Sequence, residues 1–151
     1  MAVTEPAQDS IFKFEKAYLK DVSYESPNSP RVFGNTDASS EVSIKCNIHH
    51  QPIDDKKRFY EVVITVKVAV SQDNMASFLI EVRQGGVFQI WGVPPEDLPR
   101  ILEVNCPNIL MPFAREAVCD VVVKGGFPQL LIDLIDFQAL YEDKQKNKAQ
   151  V

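Results

Sequence analysis

Cys46, His49 and His50 bring three potential metal ligands within five residues of one another. A structural zinc takes about four nitrogen or sulfur ligands, usually from two such groups. The remaining cysteines, Cys106 and Cys119, form no C-x-x-C pair, and the chain has no further histidine. On a strand, Cys46 and His50 point one way and His49 the other. The three therefore read as ordinary strand residues. Adjacent histidines on opposite faces also make a poor acid–base pair. No P-loop, H-E-x-x-H or G-x-S-x-G occurs. Gly85-Gly86 lies inside a strand pattern rather than between a strand and a helix, so it does not cradle a phosphate. Carboxylates are spread over exposed positions. With no catalytic constellation, binding is the expected role and no enzyme activity is expected.

Composition sets bounds on what is bound. The chain has 151 residues and a net charge of -5. That length fits one domain, 1–151, with a single core. An acidic surface repels phosphate backbones, so nucleic acid is not expected as a partner, whereas a basic patch is. No apolar run reaches the roughly 18 residues of a membrane span. Met1 to Ser10 lacks the basic and apolar regions of a signal peptide. Three cysteines, an odd count, suit a reducing compartment, and the cytoplasm is expected. Residues 1–10 and 144–151 are expected to be disordered.

The elements follow from periodicity. In 11–25, Phe12, Phe14, Tyr18, Val22 and Tyr24 share one face, opposite Lys13, Glu15, Asp21, Ser23 and Glu25, which predicts a half-buried strand. Lys16 and Lys20 fall awkwardly on its apolar face. Residues 26–40 read as a long crossing loop. Val42, Ile44, Cys46 and Ile48 mark a second strand. Tyr60, Val62, Ile64, Val66, Val68 and Val70 mark a third, and Phe78, Ile80 and Val82 a fourth. Short turns at "QPIDDKK" and "SQDN" favour antiparallel pairing. Gly85-Gly86 predicts a bulge or bend. "PPEDLPRILEV" reads as a short helix. A long helix is predicted to start near Met111 or Pro112, with Pro107 holding the preceding residues extended, and to stop at Gly125-Gly126. "FPQLLIDLI" reads as an apolar connection, and Asp136 caps a last helix from Phe137 to about Lys146. Strands first and helices after make an α+β fold: a four-stranded antiparallel sheet, one long helix and one C-terminal helix.

The long helix is apolar over more than half its circumference. Glu116, Asp120 and Lys124 form its polar line, with Arg115 beside them. One sheet covers one side. The rest calls for another subunit or a ligand, unless Leu98, Ile101 and Leu102 cover it within the chain. An oligomer with this helix inside it is the favoured expectation. Leu79 is a second oddity, since it projects from a polar face between Ser77 and Glu81.

"AYLKDVSYESPNSPRVF", "FYEVVITVKV", "FLIEVRQGGVFQI", "CPNILMPFARE" and "GGFPQLLI…DFQALY" resemble the SecB family of protein-export chaperones from about Ile11 to Tyr141. The resemblance implies a homotetramer, a dimer of dimers, with the long helices between two sheets. It implies no cofactor and no ATP. It implies that unfolded preproteins are kept translocation-competent and delivered to the SecA motor ATPase. The matching positions give Asp21, Glu25, Leu79 and Glu81 as the motor-binding surface, and all four have the polar parity read above. They give Val42, Ile44, Leu130, Ile132, Phe137 and Tyr141 as a client groove. Ile80, Val82 and Gln84, of opposite parity, together with Phe113, Ala117 and Val121, are expected to serve the oligomer interface. The chain departs from the family pattern in two places. The crossing loop has no tryptophan, leaving Phe33 as its aromatic, and the tail is short and basic.

Three other readings compete. A thioesterase of the hot-dog type places its helix early, and here the helix follows all four strands. A related chaperone devoted to an antitoxin differs in the clients that co-purify. A structural oligomer would delay no refolding.

Overall fold

Alternating β-branched and aromatic residues build four antiparallel strands in the order β1-β4-β3-β2, namely β1 (Ile11–Glu25), β2 (Ser40–Pro52), β3 (Phe59–Gln72) and β4 (Met75–Trp91). The computed structural model describes residues 10–34 and 39–149; the expected disorder of residues 1–9 falls outside them, as do loop positions 35–38. β3 and β4 join through Asp73-Asn74, both at positive φ, which fits the right-handed twist of a two-residue hairpin. Between β2 and β3, the Asp54 carboxylate accepts from the Arg58 and Phe59 amides at 2.9 Å each. The crossing loop ties back to the start of β4: Ser26 Oγ donates to the Ser77 carbonyl and Asn28 Nδ2 to that of Ala76.

The parity expected for β2, β3 and β4 holds, but β1 does not keep one parity. Its register against β4 slips between Phe14 and Lys16 and again between Leu19 and Asp21. Each slip is an extra residue, Glu15 and then Lys20, and reverses which side chains face the helices. Phe12, Phe14, Val22 and Tyr24 face them as expected. Tyr18 and Lys16 lie instead on the open face, which removes the awkward lysines. Gly85-Gly86 is not the bulge; β4 runs straight through it. These glycines permit close approach, since a methyl at Gly85 would stand 2.5 Å from Tyr18 Cε2 and one at Gly86 2.6 Å from Leu110 Cδ2.

The helical run begins earlier than its prolines indicate. α1 (Leu98–Arg100) leads through a π-turn (Ile101–Asn105) into α2 (Cys106–Lys124) without a break. Asn105 and Cys106 are helical, not extended. The π-turn widens the coil just before Pro107, with Cys106 N–H donating to the Ile101 carbonyl, and so relieves the clash a proline makes with the preceding turn. Pro112 sits inside α2. Both it and Asn108, whose carbonyl loses its donor, lie on the exposed side, where the carbonyl is within reach of solvent. Gly126, at φ 89°, ends the run as expected.

α2 buries Leu110, Ala114, Val118 and Val122 against Val66, Val68, Val82 and Phe88. Residues 127–136 cross back without regular structure to α3 (Phe137–Ala149). Asp136 caps α3 through the Ala139 amide at 3.0 Å. α3 reaches Ala149, past the point where disorder is expected, and Lys144 pairs with Glu103 at 3.3 Å.

On the open face, β1 is locked at its displaced stretch. The buried Glu61 carboxylate accepts from Tyr18 Oη, from Lys20 Nζ at 2.9 Å and from Gln51 Nε2 at 3.3 Å. Burial alone would raise the Glu61 carboxyl, but these donors and the Lys20 charge hold it below the usual carboxylate range. The folded pKa being depressed, this stability is present above the unfolded pKa and is lost as pH falls through the folded one. Glu61→Gln is therefore expected to destabilise by roughly 1–2 kcal/mol at pH 7, part of the Lys20 attraction being screened by solvent. Urea titrations should show the gap closing as pH is lowered below about 4.

Candidate functional site

Two surfaces gather the candidate residues, one on each face of the sheet. On the helix side, α2 rests on β4 and β3 and touches β1. That leaves the inner row of β2, with Val42 48% and Ile44 37% exposed. Residues 127–136 and the start of α3 only partly close over it. Between them lies a depression of about 280 Å³ lined by Ile44, Cys46, Ile132, Leu134, Ile135 and Leu140, with Asp133 the one charged residue on its wall. Of the expected groove residues, Val42 and Ile44 are open and Leu130 and Tyr141 are half-buried. Ile132 and Phe137 are buried in their own chain. Ile132 reaches the depression from beneath, while Phe137 anchors α3.

Periodicity did not point to the most open apolar residues here. Leu134 is 89% and Leu131 74% exposed. The available signal was the apolar run 130–135 itself, interrupted only by Asp133 and without a helical or strand period. Phe33, from the crossing loop, lies tilted against Phe127 with ring centroids 5.0 Å apart, and Phe127 meets Phe78 edge-on at 4.8 Å. The crossing loop and the start of the return segment thus share one aromatic cluster.

The thiol of Cys46 faces this depression. Burial pushes it up to about 11, against a smaller downward pull from Lys144. His50, on the same side, is held below its usual value by burial, opposed by Glu103. Among the described residues, no three His, Cys, Asp or Glu side chains are placed to hold a metal.

On the open face, Asp21, Glu25 and Leu79 are exposed and Glu81 is half-buried. Pairing sets Glu25 opposite Leu79, Ser23 opposite Glu81 and Asp21 opposite Arg83. The four expected residues therefore lie together across β1 and β4. Glu25, Leu79 and Glu81 border a shallow depression of about 350 Å³, whose other wall carries Lys45 and Lys67. The register of β2 on β3 brings those lysines there, and sequence alone does not give it.

Ile80, Val82 and Gln84 lie beneath α2 within the chain, Gln84 Nε2 donating to the carbonyls of Tyr18 and Gly85 at 3.0 and 3.2 Å. All three are covered by their own chain. Phe113 is open, edge-on to Phe14 at 6.0 Å, and Ala117 and Val121 are half-buried.

A family model described as "Preprotein translocase subunit SecB" matches residues 5–148. The chain is 40% identical to "Protein-export protein SecB" of Halorhodospira halophila over 143 residues, covering 95% of this chain and 81% of that protein. It is 45% identical to the protein of the same description from Chromobacterium violaceum over 139 residues, covering 92% and 91%. Among solved structures its fold is similar to that of a Mycobacterium tuberculosis SecB-like chaperone in complex with a ChAD peptide from the HigA1 antitoxin. That likeness has a TM-score of 0.68 at 13% identity, covering 82% of this chain and 90% of that one.

A thiol raised from 9.0 to about 11 has roughly a hundredfold less thiolate at neutral pH. The remaining thiolate is individually more nucleophilic, so alkylation of Cys46 by iodoacetamide is expected to be about tenfold slower than that of a free cysteine, followed by mass spectrometry of its peptide. Cys106, pushed up to about 12 by burial, should be slower still.

Proposed function

The chain belongs to the SecB family, and from that premise we propose that it is an ATP-independent chaperone. It binds unfolded preproteins in the cytoplasm, keeps them translocation-competent and delivers them to the SecA motor ATPase. The observation that carries the reading is the half-covered apolar row of β2 beside the exposed Leu131 and Leu134. An unfolded chain exposes apolar side chains of every shape. A long aliphatic groove takes many of them weakly and gains by engaging several at once. No nucleotide step is needed for such holding. The groove is formed by Val42, Ile44, Leu130 and Tyr141, with Ile132 and Phe137 as its supports.

We assign motor docking to Asp21, Glu25, Leu79 and Glu81, an acidic patch around one exposed leucine. The proposed assembly is a homotetramer, a dimer of dimers. It is supported by the outer side of α2, where Phe113 and Val123 are open, and by Phe12, Leu19 and Val22, exposed on the helix side of β1.

Native mass spectrometry with a slow-folding precursor kept unfolded tests the whole reading. Four 17.0 kDa chains with one unfolded client, and none with the folded client, is the expected result. A monomer indifferent to the client would overturn it. Glu81→Lys is expected to weaken SecA binding about tenfold in a calorimetric titration while four chains remain assembled. Leu134→Ser removes an apolar contact worth up to about 1.5 kcal/mol when buried by a client. It should shorten the delay in client refolding several-fold without lowering the melting temperature. An unchanged delay would count against the groove.

A further inference from the structure

The open face carries more than acid. Read across the strands from β1 to β2, one row runs Ser23, Glu81, Lys67, Lys45 and the next runs Glu25, Leu79, Ala69, Ser43. These two rows make the depression of about 350 Å³. Negative charge lines its β1–β4 side and positive charge its β3–β2 side, with Leu79 and Ala69 between. Arg83, opposite Asp21, lies one row further on and outside it.

Among the described residues the lysines have no charged partner. Lys45 and Lys67 are exposed and stand directly opposite each other, a like-charge arrangement that strands disfavour. Among the described residues neither is in an ion pair, and neither are Glu25 and Glu81. Lys67 and Glu81 are cross-strand neighbours and still do not close on one another. Lys45, Lys67 and Glu25 are open to solvent and Glu81 is partly so.

We propose that this depression receives a segment of the motor partner carrying charges of both signs, a basic side chain for Glu25 and Glu81 and a carboxylate for Lys45 and Lys67. The two sets of charges lie about two strand spacings, or roughly 10 Å, apart. In an extended segment laid across the strands, the partner's basic and acidic groups are then about three residues apart. Such a segment docks in one direction, because reversing it sets like charges together on both sides. The inference rests on the reading of Asp21, Glu25, Leu79 and Glu81 as the motor-docking surface, and adds the chemistry and polarity of what docks.

Reversing the lysines separates this from a surface that is merely acidic. If the partner offers only positive charge, added carboxylates at positions 45 and 67 strengthen binding. If it also offers a carboxylate, they weaken it. Purified SecA is titrated calorimetrically into the unmodified protein, into Lys45→Gln/Lys67→Gln and into Lys45→Glu/Lys67→Glu, each confirmed as the intact assembly. The glutamine pair is expected to bind about three- to tenfold more weakly and the glutamate pair more weakly still. Unchanged affinity in both, or tighter binding by the glutamate pair, overturns the inference. Glu81→Lys is measured alongside. If it weakens binding and the lysine variants do not, only the mixed-charge docking falls; if it too has no effect, the docking surface itself is misplaced and both fall.

Discussion

An α-helix with its side chains is about 10–12 Å across, whereas the outer strands of a four-stranded sheet lie about 14 Å apart before their side chains are counted. One helix therefore covers the middle of such a sheet and leaves both margins. Here α2 lies over β4 and β3. The margin at β2 is what residues 127–136 half-cover, and it is the proposed groove. At the β1 margin, Phe12, Leu19 and Val22 stay open beside Phe113. That is the apolar surface on which the proposed assembly rests. Among the described residues no helix covers the opposite face of the sheet, and its polar rows lie open there.

The second constraint is the alignment of β1. Two extra residues in a 15-residue strand turn a central stretch over and then back, so Tyr18 and Lys20 meet the buried Glu61 on the open side. Without both bulges, Asp21, Ser23 and Glu25 would not lie level with Arg83, Glu81 and Leu79. The acidic patch thus depends on a lock several residues away. Gly85, which lets the Tyr18 ring lie flat against β4, is part of it.

Much of this was legible in the sequence, for identifiable reasons. Strands with an uninterrupted period of two, such as Tyr60 to Val70, disclose their faces directly. β1 did not, because a bulge changes parity without changing composition; the misplaced Lys16 and Lys20 were the trace it left. The start of the long helix was placed too late because Pro112 was read as lying in its first turn and Pro107 as holding the residues before it extended, whereas a π-turn accommodates Pro107 and exposure accommodates Pro112. Acidic members of the open face were found from parity and resemblance together. Their basic neighbours were not, because they come from β2 and β3 and meet the acids only through pairing register. Leu131 and Leu134 escaped notice because an irregular segment has no period to read.

The irregular return from α2 to α3 is held at even intervals. Phe127 is fixed by its aromatic neighbours, Ile132 is buried five residues on, and Phe137 five residues after that. Between these moorings hang two short spans, 128–131 and 133–136, with no ladder of backbone hydrogen bonds of their own. Each span carries one of the two most exposed leucines. Inside the spans Leu130 and Ile135 still pack against the core, and the Leu130 carbonyl accepts from Cys119 Sγ at 3.7 Å. Leu131 and Leu134 are thus single side chains held out from an otherwise fastened segment. A leucine side chain turns among a few staggered positions at little cost, so the two can meet partners of different bulk while the backbone beneath them stays where it is.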